Sequence, residues 1–437
     1  RKVLVGNAVD TIKYVPLESY KGITYDSNKH VHLIVVGMSN MGTALGVQAL
    51  FQAHYPNYVR DSQLKTRVTF IDTKADKEMA FFKGRYATLF ELARHRYIDA
   101  NACKEEDLNS DYGWVDPMQQ SNCQWKHLSN KGQNFLDVVK CELESDGVRK
   151  YLTQVAKIQT SKLTIAICLT NASQAIAASL YMPMEVYENQ QLQQILVYQR
   201  EASTIIENIS KETKENSIRY KKLRPFGMIY SNYMDDRTRY WKGVLTHAVY
   251  DATQNNQPLP LDLKNTDDKE VKALVNEWDE LKECKKISNK LFVDSIYQKL
   301  RCIMDLSKNE TLGEYGNPIF DNRSFVQDVK SVLQSHASTV AKCEHNRWNV
   351  EQLLMGFTPM KSADDEQFRQ LVDENNEEKI NKKKSELKES SAKVHPNICD
   401  FEHLNMVDPG AKAYDYALNV AIPDILIRVD GYEQFVR

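Results

Sequence analysis

The sequence predicts an α/β protein: a mostly parallel sheet with helices in its N-terminal part, followed by an all-α C-terminal region. Three observations predict it. Up to about residue 235, short apolar runs alternate with helical stretches. Beyond Asp235 the strand signals vanish and long, charged helical patterns take over. The chain's 437 residues exceed what a single core organises, so two or three domains are expected.

The elements follow in order. Residues 1–30 read as an N-terminal extension. His32-Leu33-Ile34-Val35-Val36-Gly37 is a nearly continuous apolar run ending in glycine, the pattern of a strand buried on both faces. After Gly42, the residues Ala44, Leu45, Val47, Leu50 and Phe51 predict a helix packed back on that strand. Arg67–Asp72 is a second strand. Leu163–Leu169 is a third, followed by Thr170-Asn171 and a helix over Ala172–Tyr181. Gln194–Gln199 and Phe226–Tyr230 are weaker strands. Such alternation implies parallel pairing with right-handed crossovers.

Tyr97–Lys140 holds Asn109, Asp111, Gly113, Pro117 and two tryptophans, and reads as an irregular insertion covering the sheet edge or a ligand. The sheet region thus spans 31–235, a helical connecting region 236–330, and a C-terminal helical domain 331–437. Pro258-Leu259-Pro260 and Gly313–Pro318 interrupt the helical part. Ser362–Ser391 is very polar and ends in the lysine-rich run Ile380–Ser391. It reads as an inserted charged helix or disordered loop, with lysines solvated among interspersed glutamates.

Composition narrows the function classes. A hydrophobic fraction of 42% and a charged fraction of 27% are those of a globular protein. A net charge of -2 gives no global electrostatic case for nucleic acid, and none is expected as a partner. Eight cysteines without a C-x-x-C point to reduced thiols and a cytoplasmic location. No run reaches the ~18 apolar residues of a membrane span, and no signal segment opens the chain. The chain begins at Arg1 rather than at a methionine, which leaves room for an upstream segment. A membrane channel or transporter part there, or as a separate subunit, would place the protein at the cytoplasmic face of a membrane. A homo-oligomer also stays open.

Gly37-Met38-Ser39-Asn40-Met41-Gly42 sits between a predicted strand and a predicted helix. This is the setting in which a tight turn presents backbone N–H groups and a helix N-terminus to a phosphate. Gly37 makes the turn and Gly42 allows close helix–strand approach, while Ser39 replaces the usual middle glycine. Asp72 ends the second strand, where an acid commonly binds a ribose hydroxyl, although it stands 35 positions after Gly37 (37 to 72) rather than ~20. The loop His54–Thr66 accounts for the excess. With Thr170 and Asn171 after the third strand, these residues form a candidate cofactor site for NAD or a related adenine nucleotide. A hydrolase elbow would need G-x-S-x-G, and Met41 occupies the second glycine position. No H-E-x-x-H, Walker loop or Ser/His/Asp arrangement is present, and no catalytic residue is assigned.

The segment from GMSNMG through FIDTKADKE, with LTIAICLTN, resembles the TrkA-N type, Rossmann-like nucleotide-binding domain of potassium-transport regulators. The resemblance covers roughly the first 235 residues.

At the other end, EHNRWNVEQLLMGF (Glu344–Phe357) reads as a helix stopping at Gly356. KVHPNICDFEHLN (Lys393–Asn405) reads as an extended His395-Pro396 segment leading into another helix. On the first helix Cys343, Val350, Leu354 and Phe357 share a face, and Ala341, His345, Trp348 and Met355 form an adjoining stripe. Both stripes can be core. Alternatively, His345, Arg347 and Trp348 line a groove with His395 and Pro396 and receive an anionic or aromatic ligand, a guanidinium beside an indole being a natural reader of phosphate or carboxylate. His395, Cys399 and His403 stand at i, i+4, i+8, but Pro396 argues against one continuous helix there, and no metal site is expected.

This split signature resembles the ryanodine-receptor-type repeat (the RyR domain), found also in bacterial proteins that join it to a TrkA-N type domain. Thr246–Tyr250 and Trp278–Leu300 are similar to segments that precede the repeat. The two resemblances together imply a ligand-sensing regulatory protein, connected with ion transport, more readily than an enzyme. An NAD-dependent oxidoreductase and an interaction scaffold with a degenerate pocket are the alternatives.

Overall fold

The computed structural model describes residues 2–5, 8–11, 14–109, 111–128, 135–142, 144–200, 205–211, 217–227, 236–255, 269–306, 323–374 and 377–430. The chain divides into two compact units. The first holds residues 1–53, 57–123 and 130–232, and the second 54–56, 124–129 and 233–437.

The first unit is built on a sheet. After the hairpin of β1 (Lys2–Val5) and β2 (Ala8–Thr11), the strands are β3 (His30–Val36), β4 (Arg67–Asp72), β5 (His95–Asp99), β6 (Trp114–Val115), β7 (Phe135–Lys140), β8 (Ser161–Ile167), β9 (Leu192–Tyr198) and β10 (Leu223–Phe226). Their order is β10-β9-β8-β3-β4-β7-β5-β6, parallel throughout except for the antiparallel β5–β6 edge pair. The central strand β3 pairs Ile34 with Thr69 on one side and with Ile165 on the other. Its residues from Val31 to Val36 are all buried, as a strand covered on both faces requires.

The helices of this unit are α1 (Asn40–Gln52), α2 (Ala75–Arg85), α3 (Ala87–Phe90), α4 (Asp146–Ala156), α5 (Ala172–Leu180), α6 (Met184–Glu188), α7 (Ile205–Lys211) and α8 (Ser217–Tyr220). One sheet face carries Ile34, Val36, Ile71, Val139, Ile165 and Ile167, packed under Val148, Tyr151, Leu152 and Val155 of α4 and Ala175 and Ala178 of α5. The opposite face carries Val35 and Phe70 under α1. A Cβ on Gly46 would stand 2.3 Å from the Phe70 ring, so glycine there sets the close approach of α1 to β4. The result is a Rossmann-like, doubly wound sheet.

Residues 97–140, expected as an irregular insertion, are irregular over most of the described residues between 100 and 128 but also carry sheet strands. They supply β6 and β7, and β7 lies inside the sheet between β4 and β5. Its run Phe135–Lys140 (FLDVVK) was masked at the sequence level by Asp137, a charge that reads as surface but is fully buried here. The strand expected at Phe226–Tyr230 ends at Phe226, and residues 228–230 lie outside the described residues. So do the breaks at Pro258–Pro260 and Gly313–Pro318.

The second unit is helical: α9 (Asp236–Gln254), α10 (Lys269–Glu280), α11 (Glu283–Asp294), α12 (Ile296–Ile303), α13 (Arg323–Ser335), α14 (Ala337–Leu354), α15 (Ser362–Asp373), α16 (Glu377–Glu389), α17 (Leu404–Val407), α18 (Ala411–Val420) and α19 (Ile422–Asp430). One core joins Leu245 and Val249 to Phe292, Ile296, Leu300, Val340, Ile422 and Leu426. A second joins Met360, Phe368, Cys399, Leu404 and Val407. Of the two forms expected for Ser362–Ser391, a charged helix or a disordered loop, the described residues take the helical one, as α15 and α16. Phe368 anchors the first of them, and Asp365 beside it is buried too. Among the described residues, no helix is long and apolar enough to cross a membrane.

Candidate functional site

The crossovers leave β3 in opposite directions, through α1 towards β4 and, after β8, through α5 towards β9. Because α1 and α5 lie on opposite faces, the C-terminal ends of β3 and β8 bound the crevice where strand order reverses. Open α/β sheets bind their ligands in that position.

The glycine turn is built there from backbone geometry. Gly37 has φ +94°, in the left-handed region, and an added Cβ would stand 3.2 Å from the Cys168 carbonyl oxygen. At Gly42 an added Cβ would stand 2.0 Å from the Gly37 carbonyl oxygen, so any side chain there forces the turn open. Ser39 is the N-cap of α1: its Oγ accepts from the Gly42 N–H at 3.2 Å and donates to the Cys168 carbonyl at 2.7 Å. The hydroxyl that the sequence offered to a phosphate is thus used to close the turn against β8.

Asp72 bridges the turn to the end of β4. Its Oδ2 accepts from the Met38 N–H at 2.7 Å and its Oδ1 from the Lys74 N–H at 2.7 Å. A carboxylate offers about four lone-pair positions, so room remains to accept from hydroxyls. The Ser39, Asn40 and Met41 N–H groups head a helix and have no acceptor within it. Asn40 is exposed, and the first turn of α1 holds no acidic residue. On the other side, the Asn171 side chain accepts from Gln174 N–H at 3.1 Å as the cap of α5, whose first turn also lacks acids. Gly37, Ser39, Asn40, Met41, Gly42, Asp72, Thr170 and Asn171 therefore gather at the ends of three adjacent strands. Burial pushes the Cys168 thiol up to about 12, which removes it as a nucleophile at this crevice. A cavity of about 220 Å³ lies between α4 and α5, lined in part by Val148, Leu152, Ala178 and Tyr181. None of the turn residues lines it, and it is smaller than the ~300–1,000 Å³ of ordinary ligand sites.

In the helical unit, α14 ends in a Schellman cap. Gly356 has φ +87°, its N–H donates to the Leu353 carbonyl at 3.1 Å, and the Phe357 N–H donates to the Gln352 carbonyl at 3.0 Å. The chain then returns through the Thr358–Val394 bridge, which brings His395 over the helix. The Trp348 ring stacks on His345 (5.9 Å, 24°) and meets His395 edge-on (5.0 Å, 80°). His345 Nε2 donates to the Cys399 carbonyl at 2.9 Å. His395 Nδ1 accepts from the Asn397 N–H at 3.2 Å, and burial holds this imidazole well below its ordinary pKa, hence neutral. Pro396 is buried.

Arg347 does not join this group. Its guanidinium donates to Glu344 (2.9–3.2 Å) and to Glu351 (2.7 Å). Lys299 completes the network at 2.6 Å from Glu344, with its ammonium 3.6 Å from the Phe292 ring centre. Two cations and two carboxylates balance in a site closed to water. Burial opposes the Glu344 charge, but Arg347 and Lys299 outweigh it and hold the carboxyl down to about 2. Burial pushes Glu351 up and brings Lys299 down to about 8. The expected reader of an anionic ligand is instead the counter-ion of its own helix. The three-residue and four-residue spacing of Glu344 and Glu351 from Arg347 was the signal for this pairing. His395, Cys399 and His403 do not share a helix, since α17 begins only at Leu404; the Cys399 carbonyl accepts from His345 and from Asn349 (2.7 Å), and His403 Nε2 donates to Asp365.

A second buried network went unseen in the sequence. Asp137 accepts from Arg96 (2.8 Å, twice), Arg67 (2.6 Å), Tyr151 (2.9 Å) and Thr69 (3.2 Å). Burial favours its neutral form, yet the two guanidinium groups outweigh that and hold the carboxyl well below the usual carboxylate range. The Trp114 ring covers Arg67, Arg94 and Arg96 at 5.0, 5.4 and 5.0 Å. These residues lie towards the N-terminal ends of β4, β5 and β7, away from the glycine turn.

Compared with known proteins, the chain matches no family model, no curated protein and no solved structure.

Proposed function

We propose that this protein is a ligand-sensing regulator whose sheet unit binds an adenine nucleotide, NAD(H) or a relative. The observation that carries the reading is the glycine turn at the strand-order reversal. It combines a left-handed Gly37, a Gly42 that tolerates no Cβ, and three N–H groups of an acid-free helix start. The pyrophosphate sits on the Ser39–Met41 amides, and Asp72 accepts from a ribose hydroxyl. In this reading the helical unit is an RyR-type recognition module that responds to nucleotide occupancy, in a protein connected with ion transport. Such a response requires the nucleotide to favour one conformational state over another.

The scaffold alternative rests on a specific observation. Met38 N–H and the Ser39 hydroxyl, two groups that a ligand would otherwise use, are bonded to Asp72 and Cys168. A melting titration with NAD, NADH, ATP and cyclic nucleotides decides between them. At a hundred times Kd, a bound nucleotide stabilises by about 2.7 kcal/mol, which is roughly 5–10 °C for a unit of this size. Asn40→Glu adds a carboxylate at the exposed start of α1, favourable for the helix but repulsive to phosphate. Its expected result is an unchanged or raised basal melting temperature with the nucleotide shift lost. No shift with any nucleotide in the unaltered protein establishes the scaffold instead.

A further inference from the structure

We infer that His127, Asp365 and His403 form a binding site for a divalent first-row transition ion, with Zn(II) the best-fitting occupant. Residues 124–128 belong to the helical unit, although the chain around them belongs to the sheet unit. They lie along the start of α15. Trp125 Nε1 donates to the Pro359 carbonyl at 3.2 Å, Ser362 N–H donates to the Gln124 carbonyl at 2.8 Å, and Leu128 packs on the Met360/Phe368 core. This docking presents His127 to Asp365 on the first turn of α15 and to His403 at the head of α17.

The ligand atoms are His127 Nε2, Asp365 Oδ1 and His403 Nε2. Asp365 Oδ1 is 2.7 Å from His403 Nε2 and 3.8 Å from His127 Nε2, and the three ligand atoms lie within 4.8 Å of one another. Ligands at ~2.0–2.1 Å from a tetrahedral zinc stand about 3.3 Å apart. Adjustments of about half an ångström therefore bring both Asp365 distances to the zinc value. Asp365 is 1% exposed, while the histidines, at 12% and 13%, leave a route for an ion and a fourth position for water.

The surrounding hydrogen bonds prepare these atoms for a cation. Ser362 Oγ spends its one proton on the Gln124 carbonyl (3.1 Å) and accepts from Lys126 N–H (2.9 Å). Towards His127 Nδ1, 3.0 Å away, it can then serve as the acceptor of an Nδ1–H, the tautomer that frees Nε2 for a cation. In the neutral ring the Nε2 lone pair then faces the Asp365 carboxylate. Two acceptors facing each other repel unless a cation lies between them. Asp365 Oδ2 is fixed by Arg369 Nε at 3.0 Å, and Oδ1 accepts from His403 Nε2 at 2.7 Å, a contact in which the ion would take the place of the proton. Outer partners of this kind orient ligands at metal sites. Asp400 and Arg369 are the other charges whose fields reach His127.

An occupied site would pin the 124–128 strap to α15 and to the turn before α17. The test uses the full chain, stripped with a chelator and reloaded with Zn(II) or Co(II). The expected result is one ion per chain and, by X-ray absorption on the zinc form, a nitrogen/oxygen shell with two imidazoles. His127→Gln and His403→Gln should each weaken binding at least a hundredfold, and Ser362→Ala about tenfold through the orientation of His127. His395→Gln should leave affinity unchanged. A shell containing sulfur would place the ion on cysteines and overturn the assignment. So would an undiminished affinity in both histidine variants, or no bound ion in the folded protein. Should either histidine variant fail to fold, the imidazole count in the unaltered protein decides: two supports the site, and fewer refutes it.

Discussion

Replacing Arg347 by methionine separates a structural counter-ion from a ligand reader. The substitution keeps much of the aliphatic volume but removes the charge held between Glu344 and Glu351. Glu344 retains Lys299 at 2.6 Å. Glu351 is left buried, with Gln352 Nε2 at 3.2 Å and the Ser288 hydroxyl as its remaining hydrogen-bond donors. Breaking one side of a buried ion pair typically costs about 3–5 kcal/mol, a thousandfold or so in the folding equilibrium at the middle of that range. The total stability of a domain is itself only ~5–15 kcal/mol. Urea unfolding followed by tryptophan fluorescence suits the purpose, because Trp125, Trp241, Trp278 and Trp348 all belong to the helical unit and only Trp114 does not.

The pH dependence adds an internal check. Burial already raises Glu351, and without Arg347 it rises further. A carboxyl whose folded pKa exceeds its unfolded one favours folding below the unfolded value and loses that contribution as pH rises through the folded one. The deficit of the variant should therefore be largest near neutrality and shrink as pH falls towards the ordinary carboxylate range. A loss below about 1 kcal/mol, independent of pH, would refute the counter-ion reasoning, since exposed pairs contribute only that much.

Three further outcomes follow from the same geometry. Asp137→Asn should cost the sheet unit about 3–5 kcal/mol at neutral pH by leaving Arg67 and Arg96 unpaired. The folded pKa of Asp137 is depressed, so the advantage of the unaltered protein is present above the unfolded carboxylate value and is lost as pH falls through the folded one; calorimetric melts across that window check the sign. Gly356→Ala should cost about 1–2 kcal/mol from the left-handed φ alone, because no atom lies within 4 Å of an added Cβ, and chemical denaturation measures it. Gly42→Val should disrupt the turn through the Gly37 carbonyl, lowering the melting temperature of the sheet unit while the Trp348 region keeps its fluorescence.

The central sheet was legible because β3, β4 and β8 are buried on both faces and their apolar runs need no periodicity to be seen. The strand that the sequence predicts at Arg67–Asp72 is β4 over the same residues. The turn was legible because two steric requirements, at Gly37 and Gly42, leave glycine as their signature. What hid from sequence reasoning was buried charge. Asp137 disguised an internal strand, and Asp365 with its polar neighbours made a packed helix look solvated. Arg347 looked like a free hand because its two carboxylates stood three and four residues away along the same helix. The grouping of His127 with His403 was invisible for a different reason, since 276 positions (127 to 403) separate them and only the docked strap brings them together.

Amide hydrogen exchange with and without saturating NADH tests the nucleotide assignment most directly. The account predicts slowed exchange at the Ser39, Asn40 and Met41 amides, whose N–H groups would then gain phosphate acceptors. It also predicts that Asn40→Glu abolishes the effect while leaving the exchange of β3 and β8 unchanged. Identical exchange of the turn with and without nucleotide, across NADH, NAD and ATP, would contradict it.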